Sequence, residues 1–330
     1  MHRRHLLTLA GLSALAHVPR AQAQAFTMKL SSTASADLDI DWLNAYKAQV
    51  EAASLGRVKG QVYPASQLGS AQRTIEGVSM GTVEMVLNAS GMYEGLDPRF
   101  GALAVPGVFD SLEHGIKVLA DPAVRERLAG IAAGKGVQLL TTLVHSPCSI
   151  VSRKPVRTLA DLKGQKIRVP GSASLVAQLR QLGANPVAMS LGEVLPAFQN
   201  GTLDGVYSGT PIPSALKYFD VAKAQTLLPS TYIAIVGLVS SSFLQQVGPL
   251  APALREAARR TDAETAPRVL QHVQAAEAAW RRGGGEMLQL PPADAQAYLA
   301  AVVPAARGLL GAEALRDYET LRSAAARHRA

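Results

Sequence analysis

Arg168 is the residue of this 330-residue sequence best placed to bind a small molecule. It stands in the stretch LADLKGQKIRVP, residues 159–170, where Asp161, Lys163, Gly164 and Gln165 are turn and cap residues. Lys166-Ile167-Arg168-Val169 then alternates polar and apolar up to Pro170, a pattern that predicts a short strand ending at the proline. A strand end can aim the planar five-donor fork of a guanidinium at a carboxylate, which it grips through two parallel hydrogen bonds. The competing reading is a solvated surface charge, because most arginines are exposed.

Other chemistry is sparse. Ligands of wound α/β sheets lie off the carboxyl ends of strands, which makes Thr33, Gln72 and Ser90 rim candidates; each competes with a plain turn-forming role. There is no G-x-S-x-G elbow, no H-E-x-x-H pair and no G-x-G-x-x-G after a strand. Residues 130–135, GIAAGK, are one residue short of a phosphate loop and continue with Gly136 instead of Ser or Thr. Asp204 in LDGV reads as a turn former. His145 and Cys148 stand three apart, but zinc wants three or four ligands and no second Cys/His/carboxylate cluster accompanies them. A buried structural thiol is the reading for Cys148 on these grounds. No metal and no cofactor is expected.

Two series of alternating strands and helices must position these residues. Strands are predicted at 28–33, 57–63 and 84–88, with helices at 37–53 and 71–80, the second capped by Ser70. That β-α-β-α-β order argues a parallel sheet wrapped by helices, an α/β fold. Residues 111–135 read as largely helical and 138–144 as a buried strand; the chain changes character around 147–153. The second series has strands at 167–169, 186–189 and 203–208 and helices at 174–182 and 191–200. The apolar run TYIAIVGLVS, 231–240, suits a strand that crosses between lobes or lies centrally in a sheet. From 241 onward the pattern is helical apart from 287–290, with Pro267 interrupting a long helix over 249–280.

The runs KPVRTLADLKGQKIRVPGS and LGANPVAMSLGEVLPAFQNGTLDGV, in this order and spacing, resemble the solute-binding subunits of tripartite ATP-independent periplasmic (TRAP) transporters, the DctP-like family. A weaker likeness runs upstream through YPASQLGSAQRTIEGVSMGTVEM, so that the resemblance covers roughly residues 28–260. It implies the type II periplasmic-binding fold: two α/β lobes around a ligand cleft, with hinge strands and a long helix spanning both. It also implies that Arg168 holds the substrate carboxylate, and that the partners are the large and small membrane subunits of a TRAP permease driven by an ion gradient. Family members that bind sialic acid carry a second arginine where this chain has Cys148, a cleft asparagine where it has Ser208, and an acidic residue where it has Ala89. These departures point to a monocarboxylate with an apolar or aromatic body, held by Arg168 and contacted by Tyr207, Ser208 and Tyr232.

Length and composition agree with such a molecule. The chain can bury a sizeable core and form two lobes, expected at 26–147 plus roughly 237–270 and at 148–236, with 271–330 as helices packing across both. Residues 1–25 have the three parts of a cleaved export signal: a basic start at Arg3 and Arg4, an apolar run over 6–18, and small residues around Ala21–Ala25. The adjacent arginines also fit a twin-arginine signal. Losing the leader removes Arg3, Arg4 and Arg20 and lowers the formal charge from +8 to +5. The remaining charge is spread out and lacks aromatic interleaving, so nucleic acid is not an expected partner. The single cysteine excludes an internal disulfide. The expected product is a periplasmic monomer that captures an organic acid. A sensor that hands its liganded form to a signalling partner is one alternative; an extracytoplasmic enzyme on the same fold is the other, and a perturbed acid–base pair in the cleft would support it.

Overall fold

The computed structural model describes residues 25–35 and 37–329; the export signal expected at 1–25 lies almost wholly outside them. The first series is β1 (Phe26–Ser32), α1 (Leu38–Ala53), β2 (Val58–Tyr63), α2 (Ala71–Met80) and β3 (Met85–Ala89). β1 lies between β2 and β3 and is parallel to both. Trp42, Leu43, Tyr46 and Val50 recur at helical spacing and bury one face of α1 behind this sheet. Asp37 caps that helix by accepting the Asp39 N–H at 3.1 Å. α2 begins at the predicted Ser70 cap.

Short 3-10 segments follow at Ser90–Tyr93 and Pro98–Ala104. The helical stretch expected over 111–135 is two helices, α3 (Leu112–Ala120) and α4 (Pro122–Ala129). The break is local chemistry: Pro122 cannot continue a helix begun before it, and Asp121 restarts one by accepting the Ala123 N–H at 2.9 Å.

β4 (Val137–Ser152) runs without interruption through residues 147–148. Beyond it come β5 (Lys166–Val169), α5 (Ala173–Gln181), β6 (Asn185–Ala188), α6 (Leu191–Gln199), β7 (Gly205–Gly209), α7 (Pro211–Ala215) and β8 (Ala224–Ser240). The chain ends with α8 (Ser241–Val247), α9 (Ala251–Thr265), α10 (Val269–Arg282), β9 (Glu286–Gln289), α11 (Pro292–Arg307) and α12 (Ala312–Arg327). The sheet order is β2-β1-β3-β8-β4-β7-β5-β6, with β9 also paired to β8.

β4 and β8 therefore join the two series, antiparallel to each other along their length. Their pairing shifts register at 139–141, 144–146 and 147–149; at the last of these, residues 228–231 of β8 have no partner on β4. α9 and α10 are joined by a 3-10 turn, Ala266–Arg268, so Pro267 tightens the long helix without ending it. α9 packs on α1 and β4, while α10 packs on α7 and β9, so the pair bridges both series.

Candidate functional site

Arg168 occupies the position its alternation predicts. Ile167 and Val169 point into an apolar core beneath α5 and α11, which forces Arg168 to the opposite face. β5 is flanked by β6 and β7, both parallel to it, so the arginine lies near the carboxyl end of a strand paired on both sides. It is 4% exposed. Its Nε donates to the Met189 carbonyl at 2.9 Å, which fixes the fork, and among the described residues no carboxylate lies within ion-pair distance of it. Burial lowers its pKa to about 10. A buried cation without a counterion is costly, and an incoming anion relieves that cost.

The cleft into which it faces has an empty volume of about 840 Å³, solvent at the mouth included. Thr33, Ser90, Arg168, Tyr207, Ser208 and Tyr232 all line it. The Ser208 hydroxyl is buried and without a protein partner. Thr33 is held by Asn88, whose Oδ1 accepts both its N–H (3.1 Å) and its hydroxyl (3.0 Å). The Tyr232 hydroxyl donates to the Asp110 carbonyl at 3.0 Å, so its ring forms the wall. Met92, Leu103, Leu175, Leu191 and Ile212 supply apolar surface.

Gln72 and Cys148 lie elsewhere. Gln72 is exposed at a wider outer mouth that shares Thr33, Met92 and Arg168 with the cleft, and its amide donates to Glu76 at 3.0 Å. Cys148 is fully buried behind Tyr207, whose hydroxyl donates to its sulfur at 2.9 Å. It shares the parity of Ile150 on β4 and points into the core instead of the cleft.

Three lining residues had no signal of this role in the sequence: Asp37, Asp39 and His145. His145 is the extra residue of a bulge in β4, since Val144 pairs with Ala234 and Ser146 with Ile233. Bulges re-aim side chains, and here the imidazole turns toward the start of α1, with Nε2 3.4 Å from Asp37 Oδ2 and 3.8 Å from Asp39 Oδ1. Burial raises Asp39 to about 7, with the Asp37 charge adding to the rise. For Asp37, the hydrogen bond and charge of His145 outweigh burial and leave its carboxyl below the usual range. His145 is raised because its carboxylate neighbours outweigh burial. The cleft is thus more polar than the positions of Cys148, Ala89 and Ser208 suggested. An N-cap signal at Asp37 was readable in the sequence; the bulge was not.

Residues 31–309 match the family described as bacterial extracellular solute-binding protein, family 7 (DctP). The chain belongs to this family. It is a family of solute-binding proteins and not of enzymes. The family 7 protein is 29% identical over 260 residues to the uncharacterized protein YiiZ of Salmonella typhimurium, 78% of this chain and 79% of that one. It is 32% identical over 195 residues to the 2,3-diketo-L-gulonate-binding periplasmic protein YiaO of Escherichia coli, 59% of each chain. Among solved structures, it resembles a TRAP periplasmic solute-binding protein from Bradyrhizobium in complex with D-galacturonate, with 26% identity and a TM-score of 0.84 over 90% of this chain and 99% of that one. One from Desulfovibrio salexigens with bound orotic acid shares the fold at 23% identity, with a TM-score of 0.84 over 92% and 99%. The resemblance read from the KIRVP region and the α/β fold class are both borne out.

Proposed function

We propose that this family 7 protein captures a small organic acid through Arg168 and delivers it to the large and small membrane subunits of a TRAP permease. The observation that carries the reading is the Arg168 guanidinium, buried, fixed by Met189 and without a protein counterion among the described residues, on the wall of a cleft large enough for a small acid. Relatives with bound galacturonate and orotate, both carboxylates, support it. So does the cleft's position between two series of elements joined by β4 and β8, a layout suited to hinge closure.

Export to the periplasm through a cleaved leader, by the general or the twin-arginine route, is part of the same reading, as is action as a monomer and as a binder instead of a catalyst. The Asp37–Asp39–His145 group is the perturbed acid–base set an enzyme reading asks for; membership in a solute-binding family favours recognition as its role. A thermal-shift screen of galacturonate, galactonate, orotate, pantoate and 2,3-diketogulonate, followed by calorimetry, tests the proposal. A hit on wild type that disappears in Arg168→Ala supports it. A hit that binds the variant equally well refutes the role of Arg168.

A further inference from the structure

Asp37, Asp39 and His145 have a second feature beyond lining the cleft. Each holds one polar atom in a protein hydrogen bond and turns another toward the same point. Asp37 Oδ1 accepts the Asp39 N–H at 3.1 Å, Asp39 Oδ2 accepts the Ser32 hydroxyl at 3.3 Å, and His145 Nδ1 lies 2.8 Å from Ser146 Oγ. Left over are a carboxylate oxygen of each aspartate and His145 Nε2, and one ligand atom from each residue lies within 4.8 Å of the other two. Asp39 is 6% exposed, and its Oδ1 is buried without a hydrogen-bond partner. Among the described residues, neither aspartate has a Lys or Arg at ion-pair distance; the one cationic partner available to both is His145.

From this convergence we propose that Asp37, Asp39 and His145 form a three-ligand site for a divalent transition-metal ion of the zinc class, set in the wall of the cleft. Metal–ligand lengths of about 2.0–2.2 Å put the ligands of a tetrahedral zinc roughly 3.4 Å apart. The two His145 contacts, at 3.4 and 3.8 Å, already approach that spacing. An imidazole with two carboxylates suits zinc and its neighbours, whereas calcium and magnesium take all-oxygen sets. The two carboxylates balance the charge of a divalent ion while the imidazole binds neutral. The Ser32 hydroxyl donating to Asp39, the Asp39 amide donating to Asp37 and His145 Nδ1–H donating to Ser146 Oγ are the outer support that orients metal ligands. Three protein ligands leave at least one coordination position open; because all three residues line the cleft, that position faces the bound solute. The site does not depend on the carboxylate clamp, and its test keeps the two apart.

Untagged protein freed of metal with a chelator is titrated with zinc chloride by calorimetry, and crystals grown with zinc are measured at the zinc absorption edge. The expected result is one ion per chain and an anomalous peak between Asp37, Asp39 and His145. Asp39→Asn, which keeps the side-chain shape, and His145→Gln are expected to weaken zinc binding at least 100-fold, while Arg168→Ala changes it less than threefold. Zinc bound only at other, half-buried histidines such as His272 or His328, or with equal affinity in Asp39→Asn, overturns the proposal. The anomalous map on wild type decides the matter even if a variant fails to fold.

Discussion

Glu94 grips the start of α5 from the other series: its Oε1 accepts the Ser172 hydroxyl at 2.8 Å and its Oε2 accepts the Ser174 N–H at 3.1 Å. A carboxylate at a helix N-terminus satisfies orphan amides and complements the helix dipole. α5 follows β5 directly after Pro170, so this contact fixes the turn next to Arg168 from across the cleft. Hydrogen bonds to charged groups contribute about 1.5–3 kcal/mol. Glu94→Ala is expected to lose about that much stability in urea unfolding, with Glu94→Gln recovering part through its remaining acceptor. A change below about 0.5 kcal/mol, within the range of ordinary surface substitutions, would show that the contact does not hold the two series together.

Arg168 gives the sharpest prediction for binding. Truncating one partner of a buried charge pair costs about 2–5 kcal/mol, and each 1.4 kcal/mol is about tenfold in affinity. Arg168→Ala is expected to weaken binding of an acid identified by the screen by roughly 30-fold to several thousand-fold. Arg168→Lys keeps the charge but loses the planar two-point grip, so it regains only part. Calorimetry on both variants reads this; an alanine variant within threefold of wild type ends the carboxylate-clamp reading.

Cys148 is expected to be inert in the folded protein. Burial pushes its thiol up to about 12, and the thiolate is the reactive form. A chromogenic disulfide reagent should leave the native protein unlabelled and modify one thiol per chain after unfolding in guanidinium. Stoichiometric labelling within minutes under native conditions would contradict this burial.

Asp262 ties stability to pH. Its Oδ1 accepts the Trp42 indole N–H at 2.9 Å and the Thr141 hydroxyl at 2.6 Å, yet burial dominates and lifts the carboxyl from 3.8 to about 6. The folded chain then binds more protons than the unfolded one between those values, so this group's contribution falls as pH rises through that window. About two pKa units at 1.36 kcal/mol each bound the loss at about 3 kcal/mol. Asp262→Asn keeps the Oδ1 acceptor and is expected to gain on wild type by up to about 2 kcal/mol between pH 4.5 and pH 7.5. Urea midpoints at the two pH values measure it; a difference that does not change with pH sets Asp262 aside.

Local periodicity and capping were enough to place much of this molecule from its sequence. The Ser70 cap, the apolar face of α1 and the alternation around Arg168 are encoded within a few residues, so they read directly. The KIRVP and LDGV stretches carried the family. Other features depend on partners far along the chain. β4 and β8 reach 16 and 17 residues because each completes the other's hydrogen-bond ladder, across prolines that read locally as breaks. Cys148 shares a strand with His145, yet its pleat parity sends it into the core. His145 meets Asp37 and Asp39, over a hundred residues away, only because a register shift between β4 and β8 turns it toward the start of α1. Sequence fixes what a segment prefers within a turn or two; register between distant strands decides which side chains share a cavity.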